Sequence, residues 1–242
     1  MPARNLLLAA LPLEVHDRLA RYMRTVDLAH GKVLNRPNEI IDTVYFPLDC
    51  LISVTITLLE GRTVEVGAVG NREMVGINAF MGREETSQTE YITQAPGAAV
   101  SMAAEPLLAE FDSVKPVRDV MLRYTQAYIA QLSQNVACNR VHTIEQRLAR
   151  WLLEVRDRLG TEDLSLSHEF VSQMFGVRRA GISETAAALQ DKGLIEYGRK
   201  NLRIINSPGL ERVACECFKV LRQEYDRLLD PMVKANAKPA DE

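Results

Sequence analysis

Residues 166–189 read LSHEFVSQMFGVRRAGISETAAAL. Ser167 is placed to cap a short helix, because its hydroxyl can accept from an N–H group that the first turn leaves without a partner. Phe170, Val171 and Met174 fall on one face of that helix, and Gly176 supplies the positive-φ residue that ends it. A second helix is expected from about Arg178, with Ile182, Ala186 and Leu189 turned inward. Two short helices around a tight glycine turn form a helix-turn-helix, whose second helix enters the major groove with its N-terminal residues against base edges. Arg178 and Arg179 stand at that end, where an arginine can bond guanine O6 and N7 in a fork or clamp a phosphate.

The residues that follow strengthen this reading. Residues 194–197 and 202–205 alternate as two short strands, joined by Gly198-Arg199-Lys200-Asn201. A hairpin with two cations at its tip, directly after a recognition helix, is a wing positioned for phosphates or the minor groove. A bare helix-turn-helix is a common structural corner; the added wing separates this segment from one.

Working outward, residues 143–159 predict a helix stopped by Gly160, after a break at Asn139-Arg140. Residues 113–138 predict a helix of about seven turns with Pro116 at its start. Val117, Val120, Met121, Tyr124, Tyr128, Leu132 and Val136 form its long, narrow apolar stripe, which is expected to pair with the same helix of a second subunit. The alternative is a helix folded entirely onto its own domain, since periodicity does not say what covers a face. Before it, Val15, Leu19 and Tyr22 give one face of a short helix. Between residues 25 and 102 the period changes to short runs rich in Val, Ile, Thr and Tyr, at 26–29, 43–46, 51–58, 63–69, 90–93 and 98–102. The expected fold class is α+β: an N-terminal antiparallel β-roll of jelly-roll type, a long central helix and a C-terminal winged helix-turn-helix. The corresponding divisions are residues 1–112, 113–138 and 139–242.

Composition limits the function. The chain has 242 residues, 29 Lys plus Arg against 32 Asp plus Glu, and a net charge of -3. Residues 1–139 carry -4, residues 140–205 carry +2 and residues 206–242 carry -1, so a polyanion contact belongs in the middle segment. No run approaches the roughly 20 apolar residues of a membrane span. Residues 6–13 are too interrupted for a secretion signal, which leaves a cytoplasmic protein as the expectation. GxSxG, GxxxxGK[ST], GxGxxG and HExxH are all absent, so an enzyme is the weakest class.

Gly176-Val177-Arg178-Arg179, the Ala188-Leu189 pair and Lys192-Gly193-Leu194-Ile195, behind a β domain and a long helix, resemble the Crp/Fnr family of bacterial transcription regulators. The resemblance implies a roll related to cyclic-nucleotide-binding domains, a dimerisation helix and a winged helix acting on palindromes as a homodimer. It places Arg179 at the first base-reading position. Ala180 replaces the glutamate usual beside it, and Glu184 replaces a later arginine, which puts the family's best-known target in doubt. The candidate DNA-facing set is Ser167, Arg178, Arg179, Ser183, Glu184, Arg199 and Lys200.

In nucleotide-binding members a Gly-Glu step holds the ribose and an Arg-Ser or Arg-Thr step holds the cyclic phosphate. The matching stretch is Gly76-Ile77-Asn78 with Gln88-Thr89. Ile77 stands where the carboxylate belongs and Gln88 where the arginine belongs, so cyclic AMP gating is not expected. The family's redox branch holds iron and sulfur through N-terminal cysteines, yet no cysteine precedes Cys50. Cys50 and Cys138 read as small core residues. Cys215 and Cys217 are expected on the terminal helix, two residues apart on different faces, and therefore as poor joint ligands. His142 and Glu145 could share a metal but lack further ligands. No metal or cofactor is expected. The expected partners are double-stranded DNA, a second copy of the chain, RNA polymerase and an effector of unknown chemistry, with no membrane. A non-DNA-binding adaptor or small-molecule sensor built on the roll is the alternative function.

Overall fold

The computed structural model describes residues 5–81, 88–166, 168–198 and 201–236. Two short helices, α1 (Leu6–Ala9) and α2 (Leu13–Ala20), precede the β domain. Its strands are β1 (Arg24–Leu28), β2 (Val33–Asn35), β3 (Thr43–Pro47), β4 (Leu51–Thr57) and β5 (Thr63–Val69), then, after α3 (Asn78–Met81), β6 (Glu90–Ala95) and β7 (Gly97–Ala103). They form an antiparallel sheet of order β2-β6-β4-β5 and another of order β1-β7-β3. Ile52, Val54, Val69, Val75, Tyr91 and Ala99 fill the space between the sheets.

Residues 51–55 of β4 are all buried, although an antiparallel strand with one solvated face alternates. The cause lies outside the roll. Leu51, Ala68 and Ala95 join the core of the C-terminal domain, which covers the other face of the four-stranded sheet.

From β7 the chain runs into α4 (Ala104–Ser113) and then α5 (Lys115–Val141). The apolar spacing of Leu107, Leu108 and Phe111 carries α4, which the strand-to-helix reading leaves unassigned. Pro116 lies in the first turn of α5, as expected. The expectation for the stripe is overturned. Val117, Val120, Met121, Tyr124 and Tyr128 are buried within their own chain, and Leu132 is partly so, against the roll and the terminal helix α10 (Cys217–Asn236). Tyr225, Leu228 and Leu229 of α10 occupy the place assigned to a second subunit. Only Val136 of that set is exposed, and it belongs to the opposite face. There Leu122, Ile129 and Val136 are 51%, 54% and 72% exposed, seven residues apart.

The remaining elements build the winged domain: α6 (Ile144–Leu159), β8 (Asp163–Leu164), α7 (His168–Phe175), α8 (Arg179–Asp191), β9 (Ile195–Tyr197), β10 (Leu202–Ile204) and α9 (Ser207–Val213). A capping box closes the start of α6, with the Thr143 hydroxyl accepting from Gln146 N–H and the Gln146 side chain accepting from Thr143 N–H. Gly160, in the left-handed region, ends it. The wing is a three-stranded sheet of order β8-β10-β9, one strand more than the sequence suggests. Among the described residues no helix is long and apolar enough to cross a membrane.

Candidate nucleic-acid interface

The helix-turn-helix forms as its sequence dictates. Gly176 adopts φ +62°, a conformation costly for other residues, and the Val177 amide closes the turn on the Ser172 carbonyl at 3.1 Å. Ile182, Ala186 and Leu189 lock one face of α8 into a core shared with Val171, Leu148, Leu152, Leu194 and Leu202. The other face is held outward. Arg178 is the N-cap with extended backbone, and its side chain makes no capping bond. Arg178, Arg179, Ala180 and Glu184 are exposed, whereas Ser183 is half-buried. Two guanidiniums at a helix N-terminus, where the macrodipole also favours an anion, make a site for phosphate oxygens and base-edge acceptors. Glu184, one turn on, offers an acceptor that suits cytosine N4 and repels phosphate. Gly198 N–H donates to Asn201 O at 2.9 Å, so the described residues flanking the wing tip close as a hairpin. Ser167, Arg199 and Lys200 lie outside the described residues, as does Arg83.

The winged domain docks on the roll through α7, α6 and β5. Trp151 meets Phe175 edge-on at 5.9 Å, with the Arg147 guanidinium 5.2 Å from the Phe175 ring centre. Glu65 of β5 accepts from Trp151 Nε1–H at 3.1 Å and from the Ser53 hydroxyl at 2.5 Å. Burial pushes its carboxyl up to about 7, against the hydrogen bonds from Ser53 and Trp151, which favour the charged form. The sign follows by linkage. A carboxyl whose folded value lies above its unfolded value near 4.3 stabilises fully below that pH and loses the contribution as pH rises to about 7. Glu65→Gln removes the titration and keeps one acceptor, for Trp151 Nε1–H, while its amide N–H can donate to the Ser53 hydroxyl. Its stability relative to the parent should therefore rise between pH 4.5 and pH 8, with an upper limit of about 3 kcal/mol set by the half-buried position. Urea unfolding of both proteins at the two pH values checks this, and a pH-independent difference contradicts it.

The candidate effector residues have different surroundings. Gly76 has φ +96°, and a Cβ there would stand 2.9 Å from Val44 Cγ1, so only glycine fits. Ile77 is buried in the core, Asn78 begins the four-residue α3, Gln88 is exposed and Thr89 is half-buried. Farther along, α5 closes directly onto β5. Gln131 donates to the Ala68 carbonyl at 3.2 Å and Asn135 to the Val66 carbonyl at 3.1 Å. The polar cavity beside them, bordered by Glu65, Arg147 and Arg150, holds about 40 Å³, room for a water molecule or two.

Cys50 is buried in the core as expected, but the expectation for Cys215 and Cys217 fails. Cys215 is not on the terminal helix: α9 ends at Val213, Ala214 is extended, and α10 starts at Cys217. Across this bent link the two thiols turn the same way, toward Cys138 and His142, and the ligating atoms of all four residues lie within 4.8 Å of one another. Glu145 instead pairs with Lys192. The pattern Cys-x3-His on a helix, together with Cys-x-Cys, was the available signal; reading Cys-x-Cys as helical concealed it.

Residues 146–213 match the Crp-like helix-turn-helix domain. The chain is 23% identical over 204 residues to the CRP-like cAMP-activated global transcriptional regulator of Mycobacterium tuberculosis, covering 81% of this chain and 90% of that protein. It is 26% identical over 175 residues to the transcriptional regulator LdrP of Thermus thermophilus, covering 71% and 87%. The structure of FixK2 from Bradyrhizobium japonicum superposes with a TM-score of 0.68 at 14% identity, over 80% of this chain and 98% of that one. Its C-terminal domain is of the Crp-like helix-turn-helix family, and the chain as a whole is similar to Crp/Fnr regulators. Ala180 and Glu184 on α8, which depart from the Crp/Fnr pattern, are exposed and lie off the packed face of the helix.

Proposed function

We propose that this Crp-like regulator binds palindromic promoter DNA as a homodimer, independently of cyclic AMP, and there meets RNA polymerase. In this reading α8 enters the major groove, Arg179 reads a base edge, and Arg178 holds phosphate or a second base. The observation that carries it is the exposed arginine pair at the N-terminus of a helix whose other face is fixed in the winged core. Independence from cyclic AMP is supported by Ile77, whose side chain is spent in the core, by the neutral, exposed Gln88 at the arginine position, and by the closure of α5 on β5. The name of the M. tuberculosis relative ascribes activation by cAMP to that protein. Transfer of that property would need the charged contacts whose positions Ile77 and Gln88 fill.

Gel shifts on a footprinted fragment upstream of the protein's own gene, and on random DNA, test both parts. Arg179→Ala should weaken the specific complex by about 1 to 3 kcal/mol, roughly 5- to 150-fold, and the random complex far less. Millimolar cyclic AMP should change neither. Equal weakening on both DNAs, or a clear gain in operator affinity with cyclic AMP, contradicts the corresponding part.

A further inference from the structure

Four side chains that DNA binding leaves unused meet where the long helix ends. Cys138 and His142 are one turn apart at the end of α5, Cys215 is in the link after α9, and Cys217 opens α10. Cys138 Sγ is 3.5 Å from Cys215 Sγ, and Cys217 Sγ is 3.6 Å from His142 Nδ1. Zinc bonds of about 2.3 Å to sulfur and 2.0 Å to nitrogen place tetrahedral ligands roughly 3.5 to 3.8 Å apart. A cluster containing several irons spreads its cysteines farther than the 4.8 Å seen here.

We propose that Cys138, His142, Cys215 and Cys217 form a tetrahedral binding site for a thiophilic divalent cation, zinc by its ligand set, that ties the end of α5 to the winged domain. The surroundings support the assignment independently. While His142 Nδ1 faces sulfur, His142 Nε2 lies 3.1 Å from a Glu216 carboxylate oxygen, the arrangement in which a carboxylate orients a metal-binding imidazole. Gln134 donates to Cys217 Sγ at 3.0 Å. All three thiols are buried, as in a closed structural site, not an open catalytic one. Three thiolates and a dication leave one negative charge, and the buried Arg150 guanidinium lies within electrostatic reach to offset it. Only His142 and Thr143 separate α5 from α6, so the metal adds a second connection beside the covalent hinge.

The test uses the full chain, purified anaerobically with a non-chelating reductant, incubated with zinc or cobalt(II) and desalted. One zinc per chain is expected by elemental analysis. Cobalt should give thiolate charge-transfer absorption and the intense visible bands of a tetrahedral site. Cys217→Ser and His142→Ala should lose the bound metal, His142→Cys should retain it, and Cys50→Ser should leave it unchanged. Glu216→Gln should bind zinc about 10- to 100-fold more weakly. Circular dichroism on each variant separates loss of the site from loss of the fold, and the His142→Cys and Glu216→Gln results stand even where Cys217→Ser fails to fold. No stoichiometric zinc, zinc unaffected by the His142 and Cys217 variants, an iron–sulfur chromophore, or a Cys138–Cys215 disulfide that persists under zinc and reductant would each overturn the proposal.

Discussion

Replacing Arg158 with methionine is expected to cost about 3 to 5 kcal/mol of stability, because it strands a buried carboxylate. Glu73 is 1% exposed and Arg158 8%. Arg158 Nε donates to Glu73 Oε2 at 3.1 Å and Nη2 to Oε1 at 2.9 Å, and Nη2 also reaches Gln131 Oε1 at 3.1 Å. Tyr225 donates to the same Gln131 oxygen at 2.8 Å. Burial is the largest influence on the Arg158 guanidinium and lowers its pKa, but the charges of Glu73 and Glu154 more than offset it and leave it above the ordinary arginine value. The network joins the roll through Glu73, α5 through Gln131, the winged domain through Arg158 and α10 through Tyr225. Gly70 makes the approach possible, since a Cβ there would lie 2.5 Å from Arg158 Cβ. Urea unfolding followed through Trp151, the single tryptophan, reads the loss at the interface between roll and winged domain. Adding Glu73→Gln to Arg158→Met should restore much of the stability, because the stranded charge is gone while the volume stays filled. If Arg158→Met unfolds like the parent, the two domains do not dock this way in solution.

What sequence reasoning recovers depends on how local the cause is. The glycine turn at Gly176, the N-terminal arginines of α8, the stop at Gly160 and the strand at 63–69 follow from backbone preference and short-range periodicity, and all stand where expected. Long-range packing is harder to read. The stripe on α5 was legible as an apolar face, but α10, almost a hundred residues later, covers it. Glu65, Glu73 and Arg158 look like ordinary surface charges in sequence, yet at the junction of the two domains Glu73 and Arg158 are buried and Glu65 is half-buried. The thiol cluster needs both a local feature, the bent link that takes Cys215 off the terminal helix, and long-range packing that brings it to Cys138 and His142 more than seventy residues earlier.

Ile129→Asp is expected to convert the protein to a monomer and to weaken its palindromic complex by roughly 100- to 10,000-fold, the gain that two linked contacts have over one. Leu122, Ile129 and Val136 recur every seven residues on the face of α5 turned away from the roll and α10, with Gln126 and Ser133 between them on the same exposed strip. Three apolar residues left in water at one position of successive heptads form a narrow strip along which two such helices can pack, and the buried stripe cannot supply it because its own chain already covers it. About a two-fold axis each Ile129 faces its own copy, so one substitution sets two carboxylates against each other. Because Ile129 is exposed within the chain, circular dichroism and the unfolding midpoint of the monomer should change little. Met121→Ala, on the buried face, should do the reverse, losing about 2 to 5 kcal/mol of fold stability while the dimer persists at temperatures where the chain is folded. Sedimentation velocity at micromolar concentration, with and without DNA, separates the two faces. An Ile129→Asp protein that still sediments as a dimer places the seam elsewhere on the molecule.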